Sequence, residues 1–418
     1  MTAATNRRLA VIGLAAATLV SGVALAPASA TPDRSPAAAA STSPGRPDMD
    51  VRFSTFNASL NRGAEGALLA DLSTPDNAQA KVIAEIIQRN DPDVLLINEF
   101  DYVEGGAAAE LFRDNYLAVG QNGAAPVDYP YYFVAPSNTG IPSGHDLNND
   151  GMVGGGDDAF GFGLFPGQYG MVVYSKYPID TDAVRTFQLF QWQDMPGNLM
   201  PTDFYSPEEQ AILRLSSKSH WDVPVQIGQD KTVHFLVSHP TPPTFDGPED
   251  RNGRRNHDEI RFWADYVGSP KDSAYIYDDN GISGGLKPGS DFVIAGDQNA
   301  DPLDGDSYDG AINQLLEHPR VNAKDAPASA GAVEASLLQG GVNLEHAGDP
   351  KFDTADFAEP PGNIRVDYVL PSKSLRILDS AVFWPVSSDP LSTLTGTWPF
   401  PSSDHRLVWV DVHLPHKE

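Results

Sequence analysis

Short apolar runs alternate with helix-like segments along most of the chain. The runs DVLLIN, from Asp93, and DFVIAG, from Asp291, are almost wholly apolar, as expected for strands covered on both faces. Strands are predicted at residues 51–57, 94–98, 171–174, 233–238, 292–295, 364–370, 381–384 and 407–410. Helices are predicted at residues 77–89, 250–267 and 307–317.

The order of these elements favours one α/β domain over residues 50–418. This region has no internal repeat and no break in composition that would divide it. Buried strands that alternate with helices predict two packed sheets flanked by helices.

The N-terminal region follows a different pattern. Arg7 and Arg8 precede an apolar stretch that ends at the small-residue sequence Ala-Ser-Ala. This order is typical of a signal peptide over residues 1–30, and an uncleaved anchor is the alternative. Residues 31–49 are rich in Pro, Ala and Ser and predict a disordered linker. Because no later segment has the ~18 uninterrupted apolar residues of a membrane span, we expect a secreted, extracellular protein.

Composition narrows the chemistry that the domain can carry. The chain has no Cys, which excludes disulfides, thiolate metal sites, iron–sulfur clusters and a cysteine nucleophile. Any metal must therefore be held by oxygen and imidazole ligands. With 28 Lys and Arg against 56 Asp and Glu, the net charge is −28. This charge suits cation binding and disfavours nucleic acid or an anionic membrane as a partner, although a merely soluble surface would carry it too.

Polar side chains lie at the ends of several predicted strands, where a side chain is held in place yet stays accessible. They are Asn57, Glu99, His239, Asp297, Asn299, Asp404 and His405, with Asp367 inside a further predicted strand. Taken singly, each has an ordinary structural explanation, such as a turn, a cap or a buried group with one partner. Taken together, the carboxylates and amides indicate an oxygen-ligand site for a hard cation such as Mg²⁺. Two histidines beside such a site can contact a phosphate or move a proton.

Several short motifs occur in a characteristic order. They are STFN, LLINE, a strand that ends in His239, GDQN, RVDYVL and SDH. In this order, over about residues 51–412, the sequence resembles the endonuclease/exonuclease/phosphatase superfamily of deoxyribonuclease-I-like, metal-dependent phosphoesterases. The resemblance implies a four-layer α/β/β/α sandwich, in agreement with the packed sheets expected from the strand pattern.

The resemblance also implies a divalent metal, Mg²⁺ or Mn²⁺, at the site. Glu99 resembles the principal metal ligand of the family, and Asp404 a further one. Asn57 would support the metal or the phosphate, and Asp297 would lie at the metal as well. Ser59 stands where some relatives carry a second acid, so one metal and two metals both remain open.

Catalytic roles follow from the same resemblance. Asp297 would orient or deprotonate the attacking water, and Asn299 would hold a phosphate oxygen. His405 would contact the scissile phosphate and be oriented by Asp367. His239 resembles the second histidine of the family, which stabilises the transition state or protonates the leaving oxygen.

A loop between the second and third predicted strands resembles a calcium-binding pattern. Asp146, Asn148 and Asp150 occupy alternate positions, Gly151 follows, and Asp157 stands at the twelfth position in place of the usual Glu. A structural Ca²⁺ is one interpretation, and an ordinary solvated turn is the other.

One dense basic cluster lies at the start of the second predicted helix. Arg251, Arg254 and Arg255 are placed to hold a substrate phosphate through paired donors. Ion pairing with the acids beside them is the alternative.

We therefore predict a secreted, metal-dependent phosphoric ester hydrolase that acts on phosphomonoesters or small phosphodiesters and is a monomer. An extracellular nuclease is the alternative, and it is disfavoured because duplex binding needs a broad basic surface. A phospholipase C or sphingomyelinase-type enzyme is disfavoured because no aromatic loop or amphipathic helix for a bilayer is evident, so no stable membrane association is expected. A non-catalytic module that keeps the fold is the remaining possibility.

Overall fold

The computed structural model describes residues 50–228 and 231–414. The signal peptide predicted at 1–30 and the linker predicted at 31–49 lie outside the described residues, and both stay predictions. No helix in the described part of the chain is both long and apolar enough to cross a membrane.

The described residues form a series of strands and helices in mixed order. The strands are β1 (Asp50–Leu60), β2 (Val94–Phe100), β3 (Tyr131–Phe133), β4 (Met171–Ser175), β5 (Arg185–Thr186), β6 (His220–Gln226), β7 (Thr232–Ser238), β8 (Asp291–Asp297), β9 (Ala355–Asp356), β10 (Asn363–Ile364), β11 (Asp367–Pro371), β12 (Arg376–Val382) and β13 (Val408–His413). The α-helices are α1 (Ala67–Leu72), α2 (Ala78–Asn90), α3 (Ala107–Phe112), α4 (Pro207–Gln210), α5 (Arg251–Val267), α6 (Asn313–Leu316), α7 (Ala330–Gln339) and α8 (Ser392–Thr395).

The strands form two large mixed sheets. The first has the order β12-β13-β1-β2-β4-β3 and the second β11-β8-β7-β6-β5, while β9 and β10 pair with each other. In each large sheet one pair of strands is parallel, β1 with β2 and β7 with β8. These two pairs are important because Asn57, Glu99, His239 and Asp297 lie at or near their carboxyl ends.

Alternating side chains of β2 pack into two different layers. Val94 and Leu96 pack between the two sheets, whereas Leu95 and Ile97 pack against α1, α2 and α3 on the outer face. The strand is therefore buried on both sides, which explains its continuous apolar sequence.

The second sheet is covered in the same way. Val293 and Ala295 of β8 face the first sheet, whereas Phe292 and Ile294 pack against Trp263 of α5. Helices thus cover the outer face of each sheet, and the fold is the predicted four-layer α/β/β/α sandwich.

Helix α5 connects this outer layer to the loops at the carboxyl ends of the strands. Two of its buried side chains face these loops. The carboxylate of Glu259 accepts a 2.7 Å hydrogen bond from Ser217 N through Oε1 and a 2.6 Å hydrogen bond from Thr241 N through Oε2. Asn256 Nδ2 donates to the carbonyl oxygens of Thr241 and Gln298 at 2.8 and 2.9 Å. One helix therefore holds three separate loops in register.

The helix predicted at 307–317 is wrong in extent. A short 3₁₀ segment covers Tyr308–Gly310, and only α6 is α-helical in this region. Asp309 has a φ of 46°, in the left-handed region, which interrupts any continuous helix.

Two predicted strands differ from the observed ones, and the observed strands β3, β5, β6 and β9 were not predicted. The strand predicted at 364–370 is divided into β10 and β11, and the one predicted at 381–384 is β12, which begins at Arg376 and ends at Val382. Strand β6 was not predicted, because it contains Asp222 and Pro224, two residue types that are uncommon inside strands.

We expect Glu259→Gln to lower the free energy of unfolding by about 1–3 kcal/mol, because an amide NH₂ group would then face a buried N–H donor. Urea denaturation of both proteins measures the difference. Glu317→Gln, a change at an exposed glutamate, is the matched control and should leave stability unchanged. Equal denaturation midpoints for all three proteins would contradict the role given to Glu259.

Candidate active site

Two parallel strand pairs bring polar side chains to one end of the sandwich. Asn57 of β1 lies opposite Asn98 of β2, and Glu99 follows directly. Asp297 ends β8, and His239 comes one residue after the end of its parallel neighbour β7. The carboxyl ends of both pairs therefore converge, although the residues are distant in sequence.

A cavity of about 820 Å³ opens at this end of the domain. Its lining includes six of the predicted site residues, which are Glu99, His239, Asp297, Asn299, Asp404 and His405. The other two, Asn57 and Asp367, are buried and bonded to residues of the lining. The structure thus brings together all eight candidate site residues that the motifs identified.

Asp297 is the centre of this group. Its Oδ2 accepts a 3.1 Å hydrogen bond from Asn57 Nδ2 and lies 3.4 Å from His239 Nε2 and 3.6 Å from His405 Nε2. Its Oδ1 accepts a hydrogen bond from Asn299 N at 2.9 Å. Burial raises the pKa of Asp297 to about 7, despite the opposing effect of His405. A carboxyl group with such a pKa can accept a proton at neutral pH.

The two histidines differ in charge. His405 Nδ1 lies 2.9 Å from Asp367 Oδ2, which also accepts a 2.8 Å hydrogen bond from Thr354 Oγ1. Burial alone would lower the pKa of His405, but Asp367 and then Asp297 outweigh it and raise this pKa well above its usual value. Burial, and then the nearby Lys218, hold the pKa of His239 well below its usual value. At neutral pH, His405 is therefore a cation and His239 is neutral.

Glu99 fits the role of a metal ligand. Its two carboxylate oxygens accept hydrogen bonds from Asn57 Nδ2 at 3.1 Å and Asn61 Nδ2 at 2.8 Å. Within the residues that the structure describes it forms no ion pair, and burial raises its pKa. Asp404 lines the same cavity and raises the pKa of Glu99 further. A carboxylate pair without a basic partner suits a hard divalent cation.

A second group of ligand-type atoms is also a hydrogen-bonded network. Asp297, Asp367 and His405 place such atoms within 4.8 Å of one another. Within this group His405 Nδ1 is hydrogen-bonded to Asp367 Oδ2 at 2.9 Å. This network and the pair Glu99 and Asp404, which lines the same cavity, are therefore both candidate metal sites.

Several site residues have unusual backbone conformations. Ser59, Glu99 and Asn299 have φ values of 48°, 58° and 50°, in the left-handed region that residues other than Gly rarely adopt. Gly296 has a φ of 144°, and a Cβ at this position would lie 2.0 Å from the carbonyl oxygen of Ser238. Such strain concentrates at sites where the position of a side chain is more important than local stability.

Sequence reasoning missed several residues of the site. Asn61 and Thr354 hold Glu99 and Asp367 through the bonds described above. Lys218, in the polar segment SSKSH, is 7% exposed and lies beside the site. It lines a second cavity of about 480 Å³ together with Glu99 and His239. No local signal marks these residues, because only tertiary contacts bring them to the site.

The arginines of the predicted cluster form ion pairs or hydrogen bonds with other groups of the protein. Arg251 is paired with Glu249, and Arg254 donates through Nε to the backbone oxygen of the same residue at 3.1 Å. Arg255 Nε and Nη2 donate to backbone oxygens, including that of Leu215 at 2.9 Å. Arg251 and Arg255 nevertheless line the second cavity.

The predicted calcium loop is closed by an aspartate outside the pattern. Asp158 is buried and accepts backbone hydrogen bonds from Leu147 and Gly154, both at 2.7 Å. Asp157 is exposed and lines the second cavity.

The remaining residues of the loop pattern accept backbone hydrogen bonds within the loop. Asp146 Oδ1 and Asn148 Oδ1 both accept from Asp150 N at 3.0 Å, and Asp150 Oδ1 accepts from Met152 N at 2.8 Å. A structural Ca²⁺ stays a prediction.

Comparison with known proteins places the chain in a family. The model of the Endonuclease/Exonuclease/phosphatase family matches residues 54–405. No curated protein matches the sequence.

Among solved structures, an endonuclease/exonuclease/phosphatase from Beutenbergia cavernae is similar at 18% identity, with 88% of this chain and 72% of that chain covered and a TM-score of 0.48. Sphingomyelinase C from Streptomyces griseocarneus is similar at 15% identity, with coverages of 87% and 99% and a TM-score of 0.43. TDP2 from Caenorhabditis elegans is similar at 14% identity, with coverages of 87% and 74% and a TM-score of 0.40. Because the family model matches most of its length, the chain belongs to the Endonuclease/Exonuclease/phosphatase family.

Proposed function

We propose that this protein is a secreted, divalent-metal-dependent phosphoesterase that hydrolyses phosphomonoesters or small phosphodiesters by in-line attack of water. The observation that carries the proposal is the position of Asp297, 3.4 and 3.6 Å from two histidines of different charge. This arrangement supplies a proton acceptor, a fixed cation and a neutral imidazole around one point, which is what phosphoester hydrolysis requires.

Each residue has a role in this scheme. Asp297 orients the attacking water and accepts its proton, and Asn299 holds a phosphate oxygen. His405 stabilises the charge that develops on the phosphoryl group, and Asp367 fixes the orientation of its imidazole. His239 hydrogen-bonds to the leaving oxygen.

The metal would lie on the side of the cavity that carries Glu99. Glu99 and Asp404 would hold it, and the amide of Asn57 positions Glu99 relative to Asp297. When bound, a divalent cation such as Mg²⁺ or Mn²⁺ neutralises phosphate oxygens and lowers the pKa of a bound water.

Charge around the cavity supports a small substrate. Asp301, Asp304 and Asp306 line it on the side of Asn299 and would repel the next phosphate of a polynucleotide. The net charge of −28 has the same effect at longer range. A nuclease is therefore the weaker alternative.

A lipid substrate gains support from two exposed aromatic residues. Phe245 lies at both cavities, and Trp398 lies in a groove that reaches Asp404. Both are 83% exposed, although no aromatic loop was evident from the sequence pattern. Aromatic side chains of this kind can enter a bilayer interface. The phospholipase or sphingomyelinase-type activity is thus the second candidate.

A substrate panel tests the proposal. We expect Mg²⁺-dependent hydrolysis of p-nitrophenyl phosphate or bis-p-nitrophenyl phosphate, which EDTA abolishes and added metal restores. Rapid cutting of plasmid DNA with inert small esters would favour a nuclease, and selective hydrolysis of a phosphocholine lipid would favour the second candidate. No hydrolysis of any of these compounds would contradict the proposal.

Asp297→Asn should reduce kcat about 100-fold or more, because the amide keeps the size of the side chain but cannot accept a proton. Turnover of the active ester, with the melting temperature as a check on folding, measures the effect. Asp182→Asn, at an exposed position, is the control and should keep full activity. Near-normal turnover of this variant would show that Asp297 is not the proton acceptor.

The metal-free protein should lose stability as pH rises from about 4 to about 7. Burial raises the pKa of Asp297 from 3.8 to about 7, so in this window the folded protein keeps a proton that the unfolded chain has released. The free energy of unfolding therefore falls across the window and levels off above it. Asp297→Asn lacks this titration, so its unfolding free energy should fall less. Parallel pH profiles of the two proteins in EDTA would show that this pKa is not raised.

A further inference from the structure

Lys218 occupies a position that neither the motifs nor the proposed mechanism explains. Its side chain is 7% exposed and lines the cavity of about 480 Å³ that it shares with Glu99 and His239. Within residues 50–228 and 231–414, its ammonium group donates no hydrogen bond and forms no ion pair within 4.0 Å. An ammonium group on a largely buried side chain is costly without a direct partner, because little water can reach it to replace the missing hydrogen bonds.

The surrounding protein does not supply the missing partner. Burial lowers the pKa of Lys218, and Glu259, Glu99 and then Asp297 oppose this effect over a distance without outweighing it. Both oxygens of Glu259 are occupied by backbone N–H groups of Ser217 and Thr241. These distant carboxylates therefore do not satisfy the three donors of the ammonium group.

The backbone around Lys218 is held firmly. The N–H group of the preceding residue, Ser217, bonds to Glu259, and the carbonyl oxygen of Lys218 accepts a 2.9 Å hydrogen bond from Asn138 N. The fold thus fixes the backbone that carries the side chain, as expected for a prepared binding group.

The two cavities meet at the catalytic residues. Glu99, His239, Pro242 and Phe245 line both of them. Lys218 therefore lines a cavity that adjoins the catalytic cavity through these shared residues.

We propose that Lys218 binds a non-bridging oxygen of the substrate phosphate, on the side of Glu99 and His239. The inference rests on the proposed function and adds a substrate-binding residue to it. Lysine is well suited to this role, because its ammonium group acts as a compact point charge that neutralises phosphate.

The nearby arginines do not fill the same role. Arg251 is paired with Glu249, and Arg255 bonds to backbone oxygens through Nε and Nη2. Much of the remaining wall is apolar, including Leu147 and Leu213. This wall suits the organic part of an ester and leaves Lys218 to meet the phosphate.

Calorimetric titration of inorganic phosphate into the full protein with Mg²⁺ tests the inference without relying on turnover. Lys218→Met should weaken phosphate binding about tenfold or more, and Lys218→Arg should restore part of it. Lys271→Met, which removes an exposed lysine, is the matched control and should bind as the parent does. Equal affinity of the Lys218→Met variant and the parent, or no phosphate binding by the parent, would overturn the inference.

Thermal unfolding separates this role from a structural one. Because Lys218→Met removes a buried, unpaired charge, its melting temperature should equal or exceed that of the parent, whereas a structural lysine would lower it on removal. A lower melting temperature together with unchanged phosphate affinity in the Lys218→Arg and Lys218→Met variants would overturn the inference. Failure of the parent to hydrolyse any ester would contradict the proposed function alone, since the phosphate titration still decides the role of Lys218.

Discussion

Buried negative charge is the constraint on which the site depends. Glu99 and Asp297 lie at or near the carboxyl ends of β2 and β8, and Asp367 begins β11 opposite Asp297, where a carboxylate is costly unless a cation or a donor faces it. Asp367 Oδ2 is bonded to Thr354 and His405, whereas its buried Oδ1 has no hydrogen-bond partner among the described residues. Asp297 accepts a side-chain hydrogen bond from Asn57, and the carboxylate of Glu99 accepts hydrogen bonds from the amides of Asn57 and Asn61. The positive charge of His405 follows from the carboxylates of Asp367 and Asp297.

The fold tolerates this charge because the layers around it are continuous. The apolar core between the sheets and the helix layers supplies the favourable burial, and α5 fixes the loops that carry the polar groups. Asn256 and Glu259 hold the loops at Ser217, Thr241 and Gln298 in one arrangement. The site is thus positioned by long-range hydrogen bonds rather than by any one loop.

Much of the fold was readable from sequence, because the central strands are buried on both faces and stand out as apolar runs. The segments around Leu96 and Ile294 are of this kind, and the long helix α5 was recognised from its pattern. Elements with mixed composition were missed or misplaced, as β6 was because of Pro224, and as the helix at 307–317 was because Asp309 breaks it. The local sequence pattern predicts the secondary structure that a segment favours, and tertiary contacts decide which structure it adopts.

For similar reasons, some residues of the candidate site could be found from the sequence and others could not. Residues that end strands, such as Asp297 and His239, were found because their polar character contrasts with the apolar strand before them. Lys218 and Thr354 lie in polar segments without such a contrast, so only the three-dimensional structure shows their contacts. The calcium pattern lies in a loop whose side chains bond to its backbone, and Asp158, next to Asp157 of the pattern, takes part in these bonds. A structural Ca²⁺ at this loop stays a prediction.

The two cavities of the site differ in the charge of the residues that line them, and this difference affects which substrate fits. Acidic side chains line the cavity beyond Asn299, whereas a buried lysine and apolar residues line the cavity beyond Glu99. A substrate with one phosphate and an apolar group matches this asymmetry, because its charge can lie at the centre while its organic part follows the apolar wall. A long polyanion would place further phosphates against aspartates. The same asymmetry explains how a chain of net charge −28 can bind an anion, since the local arrangement of a few cations outweighs the overall field at short range.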